Sequence, residues 1–182
     1  MTMIRTAVEA DIPGIASVLV QTWQRSLKGI VGDDYLSSLD VEHQQRRHSK
    51  MFGRPGVGYW VFEDEGQVSG FVSGGPIRYP IGEADCELYA IYILPEHQGR
   101  GAGAGLFGRL QDHCLTSKWC RIGVLVLEAN PAVKFYQSLG FARVDDEMIT
   151  LGESDYREHK MVLQIAAQQD DPADGLTAAA DL

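Results

Sequence analysis

Cysteine is scarce in this chain and never paired in a motif: Cys86, Cys114 and Cys120 form no C-x-x-C, and three is an odd count. That argues against a disulfide-built scaffold and leaves reduced thiols used for packing. None of the five histidines falls in H-E-x-x-H, and His43 and His48 stand five apart on a polar stretch, so no metal site is expected. Long hydrophobic runs are missing as well; none approaches the ~20 residues that cross a bilayer. The opening MTMIRTAVEADIPG brings Glu9 and Asp11 before any apolar stretch, which does not read as a signal peptide. Basic residues are the minority charge, 16 against 25 acidic, for a net charge of −9. DNA and anionic membranes would require a local basic patch. The one basic cluster, Arg46-Arg47-His48-Ser49-Lys50, reads as a solvated helix face. The expectation is a cytoplasmic protein with no nucleic-acid and no membrane partner.

What is present suits a small enzyme. With 182 residues, 45% of them hydrophobic, the chain can bury one core, so a single domain is expected over residues 1–163. Residues 164–182 carry Asp170, Asp171, Asp174 and Asp181 with no Lys or Arg, and their lack of apolar periodicity reads as a disordered acidic tail. Residues 4–8 suit an edge strand. Asp11 is placed to cap a helix that tolerates Pro13 in its first turn, with Ile12, Ile15, Leu19 and Trp23 at helical spacing. Residues 29–34 break that helix, and a polar one follows over 41–51. A hairpin (58–63 and 67–73), a loop or bulge at Gly74-Gly75-Pro76 and a strand at 86–93 come next. A helix over 101–117, a strand at 122–127, a short helix opened by Asn130-Pro131, and a hairpin (141–151 and 156–165) complete an α+β order.

Residues 86–103, CELYAIYILPEHQGRGAG, carry the most information. A strand runs through a kink into a glycine-rich helix start, where free N–H groups and the helix dipole attract an anion. A pyrophosphate laid across residues 99–104 would meet both. Two families use such an element. Residues 99–104 fit G-x-G-x-x-A, with Glu128 closing the strand 122–127, which suits a dinucleotide. Against that, Pro95-Glu96-His97-Gln98 separates strand from glycines, and the element sits in mid-chain. The better match is Gln98-x-x-Gly101-x-Gly103, the Q/R-x-x-G-x-G/A pattern. With the preceding ELYAIYILPEH and the later NPAVKFYQSLGF in order and spacing, the chain resembles the GNAT superfamily of acyl-CoA-dependent N-acetyltransferases over roughly residues 2–163.

The resemblance implies a mixed, mostly antiparallel twisted sheet with helices on both faces and a splayed central strand pair. It implies acetyl-CoA as cosubstrate, and as acceptor a primary amine of a small molecule or protein, with room for a homodimer. Carried over residue by residue, the backbone of Ile91 and Ile93 holds the pantetheine arm and acetyl group. Gln98, Gly99, Arg100, Gly101, Ala102 and Gly103 hold the pyrophosphate, and Asn130 contacts the arm besides capping its helix. Tyr136, in N-x-x-x-x-F-Y-x-x-x-G-F, corresponds to the general acid that protonates the leaving thiolate. Glu87, eleven residues before the motif glutamine, corresponds to a general base, acting directly or through water. Strand alternation places it on one face with Tyr89, Ile91 and Ile93. Trp23, Tyr35, Arg78, Tyr79, Asp155 and Tyr156 are candidates for the acceptor pocket. A non-catalytic acyl-CoA-binding domain is the alternative from another class; the presence of both Tyr136 and Glu87 argues for turnover.

Overall fold

The computed structural model describes residues 2–166, and the expected acidic tail lies almost wholly outside the described residues. Seven strands form one sheet in the order β1-β2-β3-β4-β5-β7-β6. They are β1 (Thr2–Thr6), β2 (Gly58–Asp64), β3 (Gln67–Pro76), β4 (Cys86–Ile93), β5 (Arg121–Leu127), β6 (Ala142–Leu151) and β7 (Ser154–Gln164). Every neighbouring pair is antiparallel except β4 and β5. A parallel pair needs a crossover, and residues 94–120 supply it with α4 (Ala102–Thr116). The expected fold class is the observed one.

Helices cover both faces. On one, α4 lays Leu106, Phe107, Leu110 and Cys114 against Val72, Leu88, Ile122, Val124 and Met161, joined by Tyr136 of α5 (Ala132–Ser138). Each fully buried Leu or Phe there contributes on the order of 1.5–3 kcal/mol. On the other, α1 (Ile12–Ser26) presses Ile15 and Val18 onto Tyr59, Val61 and Phe71. Ahead of α3 (Val41–Met51), Asp40 accepts bonds from the N–H groups of Glu42 and His43, at 3.3 and 2.8 Å. Cys86 and Cys114 are buried free thiols 3.3 Å apart.

Local expectations fail in three places. Asp11 makes no cap bond to α1; its carboxylate accepts two bonds from Arg5 (2.7 and 2.8 Å) and one from the Val8 N–H (2.8 Å). A charged bidentate partner is stronger than a neutral cap, so it wins. Within the expected break, Asp33 and Asp34 open a further short helix, α2 (Asp33–Ser38), their charges favoured at its N-terminus. Gly74-Gly75-Pro76 belongs to β3, and the bulge lies opposite, on β4. There Gly74 pairs with Leu88 and Ser73 with Ala90, leaving Tyr89 as the extra residue.

Candidate active site

The sheet is open at its centre. β4 and β5 pair only at Cys86–Ile122 and Glu87–Gly123, and from there they diverge. The N–H of Leu94 donates to Ser69 O (2.9 Å), so Leu94 and, two back, Tyr92 turn their backbone groups toward β3. By alternation Ile93 and Ile91 turn theirs into the gap, where no strand answers them. One of these groups is taken: the Gln98 side-chain amide donates to the Ile93 carbonyl at 2.8 Å. Gln98 therefore braces the strand end with its side chain.

The gap leads to the glycine loop. Gly99 (φ +73) and Gly101 (φ +84) adopt left-handed backbone, and a Cβ on either would meet nothing within 4 Å. The loop thus presents bare backbone to an open concavity. The helical bond from the Gly105 N–H to Gly101 O leaves the N–H groups of Ala102, Gly103 and Ala104 without intrahelical acceptors. No acidic residue lies in the first turn of α4. Arg100 is exposed and, among the described residues, makes no ion pair. An anion cradle at the end of a row of free strand groups fits the two ends of acetyl-CoA, pyrophosphate and amide-bearing arm.

α5 borders the gap from the other side. The Asn130 side chain accepts from the Ala132 N–H at 2.9 Å, which is a helix cap. Tyr136 is 6% exposed, its ring 5.6 Å from those of Phe135 and Phe141. Burial pushes its phenol up, and Tyr92 is near enough to add to the effect. The two tyrosines belong to clusters on opposite faces of the sheet.

The bulge at Tyr89 overturns one expectation about β4. An extra residue reverses the alternation, so Ile91 and Ile93 share the α4 face with Cys86 and Leu88. Glu87 and Tyr89 point to the opposite side, with Ala90 and Tyr92. Glu87 is 1% exposed and held by Arg78: backbone N–H at 2.9 Å, Nε at 3.1 and 3.2 Å, Nη2 at 2.5 Å. The Arg78 guanidinium in turn lies 4.1 Å over the Tyr89 ring.

Other acceptor-side candidates divide. Trp23 Nε1 donates to Tyr92 Oη at 2.9 Å, and the Trp23 and Tyr35 rings stand 6.2 Å apart. Tyr156 packs in the same cluster, its hydroxyl accepting from the Gly32 N–H. Tyr79 is largely exposed, and Asp155 accepts from the Thr150 hydroxyl near the tip of the β6–β7 hairpin. Two residues of this face escaped the sequence reading, Tyr92 and Glu158. Tyr92 lies beyond the bulge, where the alternation had already reversed. Glu158 sits in SDYREHKMVLQ, a strand whose charges alternate like those of any exposed edge.

Among the described residues, no group of three or more His, Cys, Asp or Glu converges as metal ligands, and no helix is long and apolar enough to cross a membrane. The model of the acetyltransferase (GNAT) family matches residues 14–141. The chain is 38% identical over 148 residues to YuaI of Bacillus subtilis, an uncharacterised N-acetyltransferase, covering 81% of this chain and 84% of that one. It is 27% identical over 158 residues to YiaC of Escherichia coli, a peptidyl-lysine N-acetyltransferase, covering 79% and 85%. An acetyltransferase of Salmonella typhimurium solved with acetyl-CoA has the same fold, with TM-score 0.72 at 23% identity over 95% of this chain and 99% of that one. By sequence and by fold alike, this chain belongs to the GNAT family of acetyltransferases.

Proposed function

We propose that the protein transfers the acetyl group of acetyl-CoA to a primary amine of a small molecule or a protein. The observation that carries this reading is the central gap, which opens beyond two rungs and ends at the anion cradle of residues 99–104. When bound, acetyl-CoA supplies the thioester carbonyl. The N–H groups turned into the gap at Ile91 and Ile93 hold the arm and polarise that carbonyl, as oxyanion-hole donors do. The N–H groups of residues 99–103, with Arg100, receive the pyrophosphate, and Asn130 holds the start of α5 at the arm. Tyr136, whose phenol burial keeps protonated, gives its proton to the thiolate. Glu87, its oxygens occupied by Arg78, contributes at second hand by ordering water and the Arg78 side chain on the acceptor side of the gap. The relative named for peptidyl-lysine supports a protein amine among the acceptors. Free thiols at Cys86 and Cys114 suit a cytoplasmic setting, and a homodimer is compatible with the fold.

The reading is tested by thermal shift with acetyl-CoA and by CoA release across a panel of primary amines. Acetyl-CoA at ~100 times its Kd should stabilise the protein by about 2.7 kcal/mol, and NAD should not. We further propose that the domain of residues 1–163 needs only the end of β7, so a chain ending at Ala166 should shift equally. Tyr136→Phe should lower kcat about 10²–10⁴-fold while acetyl-CoA binding persists. Full activity with a lowered Tm would make Tyr136 a packing residue; no shift with acetyl-CoA would overturn the donor.

A further inference from the structure

Among the described residues, Glu87, Glu147 and Glu158 are buried or half-buried carboxylates on the acceptor side of the sheet, and the first two are occupied. Glu87 is clamped by Arg78. Glu147 of β6 pairs with Lys160 at 2.8 Å. Glu158 of β7 lies between them, opposite Leu127 of β5 and opposite Glu147 of β6. Among the described residues, no cation and no donor hydrogen bonds to it. Its place is set by the sheet. Leu127 ends β5 at the wide end of the gap and faces Trp23 and Tyr35, and a directly opposed residue points to the same face. Glu158 therefore stands on the acceptor side of the opening, within electrostatic reach of Tyr92 and Glu87.

We infer that Glu158 is the carboxylate that receives the acceptor's ammonium and takes its proton. This rests on the transferase reading and deepens it: the acceptor is a cation at neutral pH, drawn to a half-buried anion that no cation holds, on a face lined by Trp23, Tyr35, Tyr92 and Tyr156. In the step, a proton passes from R–NH3⁺ to a Glu158 oxygen. The freed nitrogen lone pair forms the N–C bond to the acetyl carbon; as the C–S bond breaks, the thiolate takes its proton from Tyr136, and the second proton shed by nitrogen on forming the amide restores Tyr136 through solvent. Glu158 then returns its proton to water. The groups facing Glu158 favour such a role. Glu147 and Glu87 oppose its charge, Lys160 favours it, Tyr92 is neutral, and burial acts most strongly, so its carboxyl is pushed up to about 7. A base with that affinity still releases the proton after each turnover.

The test uses the full chain, with the best acceptor from an α-amino acid amide, putrescine and a lysine-containing peptide, between pH 6 and 10. Glu158→Gln should lower kcat/KM about 100-fold at pH 7, with the deficit shrinking toward pH 10 as free amine arrives unaided. The acidic limb near pH 7 should vanish from its profile, Glu158→Asp should restore part of the rate, and the thermal shift with acetyl-CoA should match wild type. A loss independent of pH, no loss, or removal of the limb by Glu87→Gln alone would overturn the assignment and leave the transferase reading standing. A wild-type protein that binds acetyl-CoA yet acetylates none of the amines would overturn both.

Discussion

At the scale of single residues, a buried titratable group and a half-buried one act on stability in opposite directions. His48 packs edge-on against Tyr59 and Phe71, and burial lowers its imidazole from 6.5 to about 4. A depressed base favours the fold above its unfolded value, and that stability, about 3 kcal/mol by the size of the shift, is lost as pH falls from 6.5 toward 4. Glu158 has the reverse sign. Its carboxyl is raised from 4.5 to about 7, so its contribution is present below 4.5 and is lost as pH rises through 7. Partial exposure makes the second effect the smaller. Over this window the two slopes offset one another. His48→Phe should therefore leave a protein that loses stability as pH rises from 4.5 to 7, and Glu158→Gln one that gains it. Urea unfolding at four pH values measures both slopes. Parallel curves for the two variants and wild type would show that neither group senses the fold.

At the scale of elements, the glycine loop and the strand before it do most of the positioning, and they were also the most legible in sequence. Gly99 and Gly101 need positive φ and bare backbone, which only glycine supplies cheaply, so their chemistry shows in their letters. Tyr136 and Asn130 were legible through the short helix that carries them. The phase of β4 was not. Its period of two holds on each side of Tyr89, but the bulge restarts it, and the cause lies thirteen or more residues away in β3. There a Cβ on Gly74 would stand 2.6 Å from Glu87 O and from Leu110 Cδ1. The sequence placed an irregularity at Gly74-Gly75 without showing which strand would carry the extra residue. Glu158 was illegible for a similar reason. Its meaning comes from which neighbours already hold cations, a long-range fact that strand periodicity does not encode. The loop itself yields a direct expectation: Gly101→Asp puts a carboxylate into the cradle while a left-handed backbone remains accessible to aspartate. The stabilisation by acetyl-CoA should disappear with the unliganded Tm within a few degrees of wild type. A melting scan with and without acetyl-CoA decides it, and an undiminished shift would relocate the anion site.

At the scale of the molecule, the seven strands act as two sheets, β1–β4 and β5–β7, joined by two rungs and braced by α4 and α5. The amides of Ile91 and Ile93 lie in the middle of the sheet order yet have no strand partner. They should exchange with deuterium at rates typical of an edge and slow markedly when acetyl-CoA is added. Protection equal to that of Val124 in β5 without ligand would mean that the gap closes in solution. An unpaired strand edge on a protein's outside is a hazard, since any extended segment can add to it and seed aggregation. This chain turns two such edges inward, where the helices limit what can enter. In the proposed transferase, the backbone groups that would otherwise invite a stray strand are reserved for a thin ligand able to thread between them, and adhesiveness becomes selectivity.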